Sequence, residues 1–82
     1  MVEFSPIEKR VLEKITDIEG AREVLNELKR KAEKIRDYVY RVAPVHFLQE
    51  AESILQRDDL PEEVKVLFMR AAAVAIFKYL KL

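Results

Sequence analysis

Between Asp59 and Leu82 the chain carries apolar side chains on almost every side of a helix, and such a helix is stable only when neighbours cover it. At 100° per residue, Glu63, Arg70, Lys78 and Lys81 share one sector of about 80° with Leu67 and Val74. Val64, Val66, Phe68, Met69, Ala71, Ala72, Ala73, Ala75, Ile76, Phe77, Tyr79 and Leu80 cover the remainder. Lys65 is out of pattern in an early turn, where its stem can lie along apolar surface while the ammonium reaches water. A protein core or a subunit interface is the environment this segment needs. A membrane span is not, because spanning takes about 20 predominantly apolar residues and Lys65, Arg70 and Lys78 interrupt the stretch. A helix lying in a membrane surface would want a broad basic face instead.

The run Ala71-Ala72-Ala73-Val74-Ala75 offers small side chains over more than a turn, so another helix can approach closely there. The expected contact residues are Leu67, Phe68, Ala72, Ala73, Ile76, Phe77 and Leu80. A domain of 82 residues buries only about 60 to 65% of the surface its unfolded chain exposes, so a partner subunit adds much. The expectation is a homo-oligomer, with a dimer favoured and an unidentified protein partner as the other possibility.

Ahead of that segment, Ser5-Pro6-Ile7-Glu8 reads as a helix start: a capping serine, a proline in the first helical position and a glutamate three residues after the cap. From Phe4 the apolar residues then recur at steps of three and four: Ile7, Val11, Ile18, Ala21, Leu25, Leu28, Ala32, Ile35, Val39 and Val42. Lys14 is the one charged residue in this heptad seam, and Ile15 beside it supplies the missing apolar group. An unbroken helix from Pro6 to Ala43 would be roughly 57 Å long, at about 1.5 Å per residue, and would require a dimer. We favour a turn within Thr16 to Gly20, with Gly20 as a C-terminal cap or Thr16 to Glu19 as a second capping box.

Pro44 is expected to stop the next helix and to open another, ending near Arg57, whose apolar face is Phe47, Leu48, Ala51, Ile54 and Leu55. Asp59 is then expected to cap the final helix, with Pro61 in its first turn. The chain therefore reads as a single all-α domain, a bundle of four helices, or three if the first two are continuous, packed antiparallel and oligomeric.

With 50% hydrophobic and 37% charged residues, disorder is excluded. Eleven Glu, eight Lys and seven Arg beside very little Asn or Gln give the bias reported for hyperthermophilic proteins. Cysteine is absent, which removes disulfides, thiolate nucleophiles and Cys-ligated zinc and makes a cytoplasmic location the default. The start Met1-Val2-Glu3-Phe4 lacks the pattern of a signal peptide. Net charge is formally zero, which argues against a surface built as a whole for nucleic acid or anionic lipid.

No residue set reads as a catalytic, cofactor or metal site, and the chain is expected not to be an enzyme. His46 has Glu50 one turn on but no third ligand in prospect, so it reads as a surface or half-buried histidine near a helix start. Ser5 is a cap and Ser53 has no nucleophile context. Lys29, Arg30, Lys31, Lys34, Arg36 and Arg41 stand against Glu33 and Asp37, a local excess that could follow a phosphate backbone, with Tyr38 and Tyr40 available for stacking. Helical pairs Glu27 to Lys31, Asp37 to Arg41 and Arg30 to Glu33 answer much of that charge, so a solvated face is the preferred reading and Tyr38 is expected to pack. The leading function is a small structural or protein–protein interaction module that self-associates through the apolar final helix and the heptad seam. A nucleic-acid-binding accessory using Lys29 to Arg41 is the alternative.

Overall fold

The computed structural model describes residues 3–81, and the expectations placed on Met1, Val2 and Leu82 fall outside the described residues. Four helices follow one another, with no strand among the described residues: α1 Pro6–Lys14, α2 Ile18–Glu33, α3 Tyr38–Leu55 and α4 Glu62–Leu80. The start of α1 is as read, with Ser5 Oγ accepting from the Glu8 amide at 3.2 Å and Pro6 in the first turn.

The chain does turn between α1 and α2, but neither Thr16 nor Gly20 caps it. Asp17 is the cap of α2, its carboxylate accepting from the Gly20 amide at 2.8 Å. An aspartate beside a threonine gives two candidate caps one residue apart, and the winner places Ala21, Val24, Leu25, Leu28 and Ala32 on the buried face. Ile15, fully buried at the turn, takes the place that Lys14 leaves in the seam. Arg70 of α4 closes the same turn from across the domain, donating from Nε to the Ile15 carbonyl at 2.8 Å.

The second boundary departs from expectation. The helix ends at Glu33, not at Pro44, and after a short connection Asp37 caps α3 by accepting from the amides of Val39 at 2.9 Å and Tyr40 at 3.5 Å. The heptad seam is lost with it, since Val39 is 75% exposed and Val42 also lies on the surface. Pro44 then sits inside α3 and is buried. A proline there removes the donor that would serve the carbonyl four residues back, at Tyr40. The Tyr79 hydroxyl of α4 donates to that carbonyl at 2.8 Å, so the orphaned acceptor is served from another helix. The third boundary also differs. Asp59 does not cap α4, whose N-cap is Pro61 without a side-chain bond, because the Asp59 carboxylate is held by Arg57 through Nε and Nη2.

The core joins Val11 and Ile15 with Val24, Leu25 and Leu28 of α2, Leu48 and Leu55 of α3, and Met69 and Phe77 of α4. Helices α2 and α4 each pack against all three others, whereas α1 and α3 do not pack together. The molecule measures 35 × 34 × 17 Å. Its shortest dimension matches about two helix layers at 8–10 Å between axes, so even a helix that meets all the others keeps a side toward solvent.

Candidate functional site

That open side of α4 is the feature that stands out. Val64, Leu67, Ala71, Ala75, Lys78 and Tyr79 are exposed along it, and Leu67 reaches 60%. Of the expected contact residues, Ala72, Ala73, Ile76 and Phe77 face inward and are spent in the chain's own core, while Phe68 and Leu80 are half-buried and Leu67 is exposed. The expectation that neighbours surround this helix is therefore met within the chain on one side alone.

A groove runs along each flank of the open side. Between α3 and α4 it is lined by Ala43, Pro44, Phe47, Ala75, Ile76 and Tyr79. Between α1 and α4 it is lined by Phe4, Glu8, Val11, Leu12, Arg70, Ala71 and Val74. Phe4 and Phe47, both exposed, carry the apolar surface from α4 onto its neighbours. Sequence periodicity assigns Phe4 to the seam and Phe47 to a buried helix face, but the short α1 and the displaced start of α3 leave both outside.

Polar groups elsewhere are committed to the fold. At the mouth between the α1–α2 turn and the start of α4, Asp17 and Arg70 face Glu62 and Glu63, yet Asp17 is a helix cap and Arg70 holds the Ile15 carbonyl. Lys31 bonds Glu27 at 3.2 Å and so holds its carboxyl below the ordinary glutamate range, with Lys14 adding a weaker pull. Arg57 does the same to Asp59 at the surface. Among the described residues no polar or charged residue is buried, and no three His, Asp or Glu residues are grouped to hold a metal ion. His46 lies in the third turn of α3 rather than at a helix start, exposed and 3.6 Å from Glu50. The Ser53 hydroxyl donates to the Gln49 carbonyl of its own helix.

The six expected phosphate-facing cations divide evenly. Lys29 pairs with Glu52 and ties α2 to α3, Lys31 pairs with Glu27, and Arg41 donates to the Ile35 carbonyl and lies 5.7 Å from the centre of the Tyr38 ring. Arg30, Lys34 and Arg36 form no side-chain hydrogen bond or ion pair among the described residues. Two of the expected helical pairs do not form. Asp37 is turned to its capping role and away from Arg41, and Arg30 does not meet Glu33. Nor is Tyr38 packed: it is 69% exposed, and Tyr40 is exposed beside it.

No helix among the described residues is long and apolar enough to cross a membrane. Compared with known proteins, the chain matches no family model and has no significant match to a curated protein or to a solved structure.

Proposed function

We infer that the chain is a protein–protein interaction module that self-associates, as a dimer, through the open side of α4 and the apolar grooves beside it. The observation that carries this reading is that Val64, Leu67 and Tyr79 stay exposed on a helix whose other side is the centre of the core. Covering them supplies burial that a domain this small lacks on its own. The seam residues from Val11 to Ala32 are already used inside the chain, so the surface rests on α4 with Phe4 and Phe47 at its margins. Light scattering is expected to give twice the chain mass at micromolar concentration. Leu67→Glu is expected to give a monomer with unchanged helix content, since that side chain makes little contact within the chain. A parent chain that stays monomeric at high micromolar concentration overturns the reading.

A second reading is favoured by the connection between α2 and α3, where Lys34 and Arg36, without a side-chain partner among the described residues, precede the exposed Tyr38 and Tyr40 in the chain. Aromatic faces beside free cations suit single-stranded nucleic acid. Binding to generic RNA or DNA is then expected to fall steeply with salt and to be lost in Lys34→Glu/Arg36→Glu. Absence of binding even at low salt removes this reading.

A further inference from the structure

We propose that two copies of this chain pack α4 against α4 in antiparallel directions, across a two-fold axis that passes beside Ala71. The proposal rests on the self-association inferred above and adds who the partner is and how it lies. Charge along the open side argues for it. Glu63 stands at the start of α4 and Lys78 near its end on the same flank, with Lys81 following in the left-handed cap. Fifteen positions separate Glu63 from Lys78, about 22 Å of helix, so these charges are too far apart to meet within one chain. Glu63 and Lys81 form no ion pair among the described residues, and Lys78 has Glu8 alone, at 3.8 Å.

An antiparallel two-fold axis at Ala71 places each position opposite the one equally far on the other side of Ala71. Glu63 then falls level with Tyr79 of the second copy, one position from Lys78 on the shared flank, and because this axis keeps like flanks together, both ends of the contact gain the pairing at once. Leu67 falls beside Val74 of the second copy on the shared flank, and Ala71 meets its own counterpart where close approach is needed. A parallel two-fold would instead set Glu63 level with Glu63 and Lys78 level with Lys78 on opposite flanks, so neither gains an opposite charge. With a net charge of zero, two copies do not repel each other as wholes. A second copy is thus the partner whose charge order runs opposite to that of α4 without any other requirement.

The chain has no cysteine, so one introduced thiol reports one contact. Ala71→Cys is expected to form a covalent dimer rapidly under mild oxidation, whereas Asn26→Cys, exposed on α2, is expected to stay a monomer on non-reducing gels. Glu63→Lys and Lys78→Glu are each expected to weaken the dimer about tenfold, and the double reversal in one chain to restore it to within about threefold. All four substitutions lie on exposed positions, and a cooperative circular dichroism melt confirms that each chain is folded. A dimeric parent whose Ala71→Cys variant links no faster than the Asn26→Cys control, or whose double reversal stays as weak as the single ones, overturns this arrangement while self-association stands. A monomeric parent removes both.

Discussion

A glutamate at Ala73 is expected to abolish the folded state at neutral pH, while the same change two residues earlier, at Ala71, leaves each chain folded. Both alanines belong to one run of small residues, yet Ala73 is fully buried in the cluster formed by all four helices and Ala71 is on the open side of α4. At Ala73 the new carboxylate has no polar side chain buried nearby, since none is buried among the described residues. An unpaired buried charge costs several kcal/mol, and the added volume in a packed core costs about 1–3 kcal/mol more. An 82-residue domain at roughly 0.05–0.15 kcal/mol per residue has about 4–12 kcal/mol in total, so the sum takes most or all of it. The expected result is loss of the cooperative thermal transition and of most helical circular dichroism. An Ala73→Glu chain melting within a few degrees of the parent would mean that Ala73 does not face the core. Ala71→Glu is the control that separates burial from helix propensity, because both changes alter propensity equally.

Local chemistry was legible in the sequence wherever it decides the outcome alone. Ser5, Pro6 and Glu8 mark a helix start on their own, and the seam from Val11 to Ala32 is buried as its period implies. The last helix declared its need for cover, and the core accounts for half of it. The departures share one cause, a distant group that changes the outcome of a local rule. Pro44 ought to end a helix, but Tyr79 is 39 residues from Tyr40 and supplies the hydrogen bond that makes the proline tolerable. Asp59 has the right position for a cap and Asp37 the right position for an ion pair, and each carboxylate is committed elsewhere, to Arg57 and to the backbone of α3. Asp37 could have been found, since the polar stretch Lys34 to Asp37 ends in a capping residue type. Which alanines of α4 face outward was not legible, because an all-round apolar helix carries no phase that tells core from interface. Only the packing of α1, α2 and α3 divides Ala72 and Ala73 from Ala71 and Ala75.

Gly20→Ala tests a contest between two effects of opposite sign, and destabilisation is the expected result. Gly20 is in the first turn of α2 with an ordinary helical backbone, so no left-handed conformation holds a glycine there. By propensity alone, alanine would gain about 1 kcal/mol in the helix, chiefly because the unfolded chain becomes less flexible. A methyl group at this position, however, would lie 2.4 Å from the Lys14 carbonyl oxygen, which ends α1. The obstacle is backbone, so no side chain can swing aside, and α1 and α2 would have to separate by about 1 Å to reach normal contact. That separation is resisted on both sides of the turn. Ile15 is fully buried, and its carbonyl is held by Arg70 from α4. Opening the turn therefore disturbs the core and loosens a charge-assisted hydrogen bond together. Overpacking of this kind costs about 1–3 kcal/mol and exceeds the propensity gain at its upper end by a clear margin. The net loss is expected at about 1–2 kcal/mol by chemical denaturation, or roughly 4–16 °C in Tm for a domain of this size. Arg70→Met in the same background supplies the second reading: with the carbonyl released, the turn can open, and Gly20→Ala should then cost less than it does in the parent. A stabilised Gly20→Ala chain would show that α1 and α2 approach each other less closely than the 2.4 Å clash requires.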